Sequence, residues 1–324
     1  MATKEVHDRG HIDDKGHWRP ERAQGFAPLF TLPFRPIALL KWLFGWGGYI
    51  WPIRVIYVVL AYVTWYLLQG GVLETYKSLE FGWIALIVLR NLILLVTVFG
   101  FYHVTIYMLK VEKSYGKYHP DWQIKDSKRF LFHDQVKDNM FRSIVSGVPI
   151  WSAWEVLYLW LAANGRLPLT TYSQSPVWFV SLFFIIPLWR EVHFYFIHRL
   201  LHWKPLLKAV HSVHHKNPNC GPWSGMAMHP IEHIGYLSVV LLAFILPVHP
   251  VHLFFISQLT ALRPAHGHTG FEGPFFKGKW PAGDYFHYLH HKHVSCNYGE
   301  STVPLDRWFG TFFDGEGTFR RKGK

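Results

Sequence analysis

Residues 81–109 read FGWIALIVLRNLILLVTVFGFYHVTIYML, an apolar run broken only by Arg90, Asn91 and His103. A helix rises 1.5 Å per residue, so roughly 20 mainly apolar residues cross a hydrocarbon core of about 30 Å. This run is long enough, which predicts a helical membrane protein. Working outward, Ile53 to Leu68, Ile144 to Ala163 (carrying Glu155) and Pro176 to Ile197 read the same way. Ile234 to Leu262 is apolar but interrupted by Pro247-Val248-His249-Pro250. Two prolines so close break a helix, leaving halves too short to cross separately. The expected fold is therefore an all-α integral membrane protein, with about four transmembrane helices plus a re-entrant helical hairpin.

Composition agrees with this class and excludes others. Half of the 324 residues are apolar and 18% are aromatic, and no Gly/Ser-rich linker separates two cores. Only Cys220 and Cys296 are present, outside any CxxC pair, which argues against a disulfide framework, thiol redox chemistry and Cys-ligated zinc. The chain carries 33 Lys plus Arg against 21 Asp plus Glu. Nucleic-acid binding would use such charge, but no helix-turn-helix or aromatic RNA-binding signature accompanies it. Its placement instead follows membrane topology. Residues 70–80 and 164–175 hold one basic residue each, Lys77 and Arg166, whereas 110–142 holds eight and 263–324 holds nine. By the positive-inside rule the N-terminus, the basic loop and the C-terminal third face the cytoplasm. The polar start, Met1 past Arg22, does not read as a cleaved signal peptide. The expected divisions are a polar N-terminal segment 1–49, a transmembrane region 50–175 with its basic loop 110–142, a histidine-rich region 176–315 and a basic tail 316–324. The tail's Arg320-Arg321-Lys322 loosely resembles an endoplasmic-reticulum retrieval signal.

The unusual quantity is histidine: 16 of the 22 lie between His193 and His293, where even spacing would place about seven. They fall into clusters, His198 with His202, His211 with His214 and His215, and His287 with His290 and His291. Residues three and four apart share a helical face, so each cluster presents two or three imidazoles to one point. Imidazoles so dense repel if protonated and leave unpaired donors if buried, unless a metal satisfies them. Eight imidazoles exceed the four ligands of one zinc, which favours two ions. All-nitrogen ligation suits iron, copper, nickel or zinc, and the absence of HExxH turns the choice toward redox-active iron. Two divalent ions among neutral rings need outer carboxylates, for which Glu191, Glu232, Glu272 and Asp284 lie near in sequence. Each is equally readable as an ordinary solvated carboxylate. Arg90, Glu155 and Arg190, within or beside spans, are functional candidates or internal ion pairs.

HRLLH at 198–202, HSVHH at 211–215 and HYLHHKHVSCNYG at 287–299, running into LDRWFGTFFDG at 305–315, resemble the fatty acid hydroxylase superfamily. This family of integral-membrane non-heme di-iron enzymes includes sterol desaturases, sterol methyl oxidases and sphingolipid hydroxylases. The resemblance covers about residues 176–315. It implies nine metal ligands: His198, His202, His211, His214, His215, His268, His287, His290 and His291. His229, in an HPxE element, is implied as a tenth ligand or outer-sphere group, with His266 and His233 less clearly matched. The Asn297-Tyr298-Gly299 and Asp306 to Gly310 segments resemble the family's tail, where packing of the cap is the simpler role.

The resemblance further implies that two iron ions, with zinc as a possible substitute, activate dioxygen to hydroxylate or desaturate a C–H position of a membrane lipid: fatty acyl, sphingoid or sterol. The hairpin is expected to let that lipid slide from the bilayer to a cytoplasmic histidine-rich cap. Electrons must come from outside, because no GxGxxG element or Cys cluster is present. Cytochrome b5 or ferredoxin with its reductase is the implied donor. The expected location is the endoplasmic reticulum membrane in a eukaryote, or the inner membrane in a bacterium. A zinc-dependent membrane hydrolase and a histidine-rich metal transporter remain open alternatives. The residues that bind substrate are not indicated.

Overall fold

The computed structural model describes residues 10–21, 25–273, 275, 280–317 and 319. The dibasic tail lies outside the described residues, as does the start of the polar N-terminal segment. Eight helices carry the architecture: α1 (Pro36–Phe44), α2 (Ile53–Leu68), α3 (Phe81–Met108), α4 (Gln135–Ala163), α5 (Pro176–Leu201), α6 (Pro230–Ile245), α7 (Pro250–Leu262) and α8 (Tyr285–His293). Shorter helical turns connect them. A small antiparallel pair, β1 (Gly10–Ile12) and β2 (Trp18–Pro20), departs from the all-helical expectation. It carries Trp18 onto Tyr118 and Tyr285, with ring centroids 5.7 and 5.8 Å away.

Among the described residues, α3, α4 and α5 are long and apolar enough to cross a membrane. α2 joins 10 α-helical residues to 6 in a wider π turn, and is about 24 Å long. α4 begins at Gln135, where Asp134 accepts a hydrogen bond from the Lys137 amide at 3.0 Å, so the helix takes its first turns from the expected basic loop. α2 to α5 alternate in direction. The 69–80 and 164–175 connections meet at one end of the bundle, where the Asn164 amide donates to the Lys77 carbonyl at 3.1 Å. The histidine-bearing turns gather at the other end.

The break at Pro247 to Pro250 forms where the two prolines predict it, with α6 and α7 on either side. The tip of this hairpin pairs Val248 with Leu169 of the remote 164–175 connection. All 13 residues of α7 are buried. Leu253, Phe254, Phe255 and Leu259 join Ile87, Leu95, Phe99, Trp151 and Tyr158 in the core. Charge in that core is paired: Arg90 donates to Glu155 and to Asn91, at 2.9 Å for the latter. Glu155 also accepts from Trp151 at 2.9 Å and Ser257 at 2.6 Å, so its burial leaves no bare carboxylate oxygen.

Candidate metal centre

The site is assembled where α5 ends, because α5 continues helically past its apolar stretch and carries His198 and His202 beyond it. The next cluster sits on a 3-10 turn, His211–Lys216. Asn217 braces that turn: its amide donates to the His214 carbonyl at 3.1 Å, and its oxygen accepts from Gln135 at 2.8 Å and Asn139 at 2.9 Å. α8 supplies the third cluster. Asp284 caps it, accepting from the His287 amide at 3.0 Å, and Val294 ends it in a left-handed conformation (φ 66°).

The nine histidines carried by the family pattern come together in two adjoining groups. His198, His202, His211, His215 and His290 form one, and His214, His268, His287 and His291 the other; within each group the ring nitrogens lie within 4.8 Å of one another. Two of the three clusters divide between the groups rather than meeting at one point. The i,i+4 partners 198/202, 211/215 and 287/291 each stay in one group, while His214 and His290, one position inside their pairs, turn to the other. The groups touch, with the His215 and His291 ring centroids 5.0 Å apart.

Hydrogen bonding explains why the arrangement calls for a cation. The Nδ1 atoms of His198, His290 and His268 face the carbonyl oxygens of Tyr298 (2.6 Å), Cys296 (2.6 Å) and Pro264 (3.0 Å). His211 Nδ1 faces Glu232 Oε1 at 2.7 Å. An acceptor at Nδ1 makes that nitrogen the N–H donor, so Nε2 keeps a bare lone pair. The Nε2 atoms of the clustered rings, these four among them, nevertheless point at one another: His198 to His211 3.0 Å, His290 to His215 3.0 Å, His215 to His211 3.1 Å, His202 to His290 3.1 Å, His287 to His268 3.1 Å. Converging lone pairs repel unless a positive ion lies among them. Ligands about 90° apart around an ion at about 2.1 Å would themselves be about 3.0 Å apart, so the residues fit such an ion. Burial and the neighbouring rings push His211, His214, His215, His287, His290 and His291 well below the ordinary imidazole range, and burial lowers His268 to about 4. The rings are therefore in the neutral form that binds metal.

The remaining sequence candidates have other surroundings. His229 caps α6 through its own side chain, which accepts from the Ile231 amide. His233 lies between Ser146 Oγ (2.9 Å) and the Met226 carbonyl (3.1 Å), and His266 between Tyr102 (2.8 Å) and Tyr57 (3.3 Å). None of the three is in either group. Of the four carboxylates, Glu232 meets a clustered imidazole. Glu191 accepts from the Val303 amide at 2.9 Å, Glu272 from the Tyr118 hydroxyl at 2.6 Å, and Asp284 serves as the cap.

Sequence reasoning passed over the carbonyls of Cys296 and Pro264, and gave Tyr298 only a packing role; backbone acceptors leave no signal in residue type. It also passed over Glu300, which takes Arg190 at 2.6 Å on one oxygen and Arg263 on the other. The tail packs the cap: Asp306 accepts from the Tyr298 and Gly299 amides at 2.8 and 2.7 Å. A small cavity of about 50 Å³ opens over His198, His211, His214, His268 and His287. Its other walls include the apolar side chains of Phe194, Ile197, Leu201, Met228 and Tyr236.

Comparison with known proteins finds similarity across the stretch that carries this centre. A fatty acid hydroxylase family model matches residues 183–311. A Delta(7)-sterol 5(6)-desaturase of Eremothecium gossypii is 27% identical over 258 residues, covering 75% of this chain and 66% of the relative. A methylsterol monooxygenase of Aspergillus fumigatus is 28% identical over 216 residues, 60% of each chain. A Delta(7)-sterol-C5(6)-desaturase of Nicotiana tabacum is 35% identical over 130 residues, 38% of this chain and 46% of the relative. The chain thus spans about two thirds or less of the length of these curated relatives. No solved structure matches it significantly. The three histidine clusters lie inside the matched stretch, so over residues 183–311 the chain is similar to the fatty acid hydroxylase family.

Proposed function

We propose that the protein is a membrane-bound di-iron oxygenase that hydroxylates or desaturates a C–H position of a membrane lipid, with a sterol the class favoured by its relatives' names. The observation that carries this reading is the convergence of nine imidazoles into groups of five and four beside an apolar cavity. Five imidazoles in one group exceed tetrahedral zinc and suit iron, which favours an oxidase over a zinc hydrolase. Their position at the end of α5, away from mid-bundle, disfavours a transporter, whose ligands belong at mid-bilayer.

His198, His202, His211, His215 and His290 would hold one iron and His214, His268, His287 and His291 the other. When bound, the pair supplies dioxygen activation for attack on an unactivated C–H bond. The protein holds the rings through Glu232 and three backbone carbonyls, and its apolar wall excludes water and aims the lipid. Residues 176–315 are the catalytic region. The basic loop and the histidine cap lie on the bundle end opposite the 69–80 and 164–175 connections, which supports a cytoplasmic cap. α2 serves as a fourth crossing element, and the α6–α7 hairpin enters and leaves from the cap side. The endoplasmic reticulum membrane, or the inner membrane of a bacterium, is the expected location. Electrons come from an external donor of the cytochrome b5 or ferredoxin type.

The test is untargeted lipid mass spectrometry on host cells expressing the wild type, with the His214→Ala/His215→Ala double variant as control, a donor and its reductase being co-expressed and sterol supplied. A lipid class that gains one oxygen identifies a hydroxylase, and one that loses two hydrogens a desaturase. Metal-loaded protein that changes no lipid, yet hydrolyses a lipid ester, would overturn the oxygenase reading.

A further inference from the structure

The hairpin cannot present a lipid-facing groove along α7, since that helix is wholly enclosed. A different part of the chain faces outward with the wrong polarity for water. On α1, Ile37, Leu40 and Phe44 are 69%, 56% and 63% exposed, and the approach to it leaves Leu32 94% exposed. These are one helical stripe at spacings of three and four, so the outer face of α1 is apolar where a water-facing helix would be polar. Nine residues are too few to cross a bilayer. The stripe continues through exposed Trp46 and Trp51 into the outward side of α2, at Ile56 and Val59. Arg35 and Lys41 lie among these apolar residues and are exposed, placed to reach phosphate headgroups while their stems stay in the apolar layer.

The inner side of the same segment borders a cavity. Trp42, Gly48 and Tyr49 line a space of about 200 Å³ whose other walls include Arg263, Gly267 and Asp284. Those last three residues also line the cavity over the histidines. Tyr49 fixes the turn to α5 by donating its hydroxyl proton to the Phe184 carbonyl at 2.7 Å, and the Arg54 guanidinium lies 3.9 Å over its ring. We propose that α1 and the turn after it lie in the headgroup layer of the bilayer and form the mouth through which a lipid passes into the cavity beside the histidine centre. The lipid's use there rests on the oxygenase reading; the placement of α1 does not.

Both native cysteines are buried, so single cysteines introduced at Leu40, Phe44 or Ser301, which also lines the second cavity, can carry a bimane label selectively. Ile37→Cys gives a second reading of the face should Leu40→Cys disturb folding. Lys128→Cys, on the loop before α4, is the aqueous reference. The full-length protein is placed in phosphatidylcholine nanodiscs with or without 5-doxyl phosphatidylcholine, and separately exposed to iodide. Lipid-borne doxyl should quench labels at 40, 44 and 301 at least about twofold more than at 128, with iodide showing the reverse order. Iodide-dominated quenching at 40 and 44 would overturn the membrane placement. The same result at 301 alone would overturn the mouth. No turnover is read, so either failure is distinct from failure of the oxygenase reading.

Discussion

Glu232 is buried at 2% exposure, with Oε1 2.7 Å from His211 Nδ1 and Oε2 without a hydrogen-bond partner. It fixes the tautomer of His211, whose Nε2 points into the five-histidine group, and it is the single carboxylate placed against either group among the described residues. Glu232→Gln keeps the volume and an oxygen able to accept the Nδ1 proton, but replaces the carboxyl group by an amide, a weaker support for the imidazole as a ligand. The expected loss of metal affinity is about 10-fold, the lower end for such outer partners and about 1.4 kcal/mol. Glu232→Ala also leaves a buried N–H unpaired, costing about 1–3 kcal/mol, so its loss should approach 100-fold. Purified wild type and variants would be titrated with a competing chelator, and bound metal counted by mass spectrometry. Glu272→Gln, whose carboxylate takes the Tyr118 hydroxyl, is the comparison and should leave the affinity unchanged. Wild-type affinity in both Glu232 variants, or an equal loss in Glu272→Gln, would refute the inference that His211 is held for a metal by Glu232.

Because His214 and His215 serve different groups, either single alanine variant should retain about one ion per chain and the double variant close to none; full loading of the double variant would contradict the partition. Breaking the enclosed Arg90–Glu155 pair with Arg90→Leu should destabilise by about 3–5 kcal/mol, and adding Glu155→Leu should recover much of it, read as thermal unfolding in detergent. A double variant no more stable than the single would show that the pair's isolation is not the cause. Burial brings Lys117 down to about 8, so between pH 8 and its usual 10.5 the unfolded chain holds more protons than the folded one. Stability from this group is full above that window and is lost as pH falls through it. Lys117→Met should flatten the rise of the unfolding midpoint with pH, and parallel wild-type and variant curves would discount Lys117 as its source.

The membrane character of the chain and the eight clustered histidines were legible because both signals are local; His268, outside the clusters, was implied only by the family resemblance. Length and apolarity alone decide whether a helix such as α3 can span, and spacings of three and four alone decide which rings share a face. Local spacing also explains the equal plausibility of His229, His233 and His266, which resemble ligands in sequence and are separated from them by distant partners: Ser146, Tyr57 and Tyr102. The carboxylates show the same division. Glu191, Glu272 and Asp284 were as near in sequence as Glu232, yet only the docking of α6 against the 211–216 turn decides which reaches an imidazole. Helix period and hydrophobicity are properties of a segment, so the sequence by itself determined a helical membrane bundle and a histidine-dense end. How the histidines divide five and four, why α7 is sealed from lipid and which carbonyls orient the rings depend on contacts between segments far apart in the chain. Only the tertiary structure decided those, because side-chain packing and hydrogen-bond geometry have no local code.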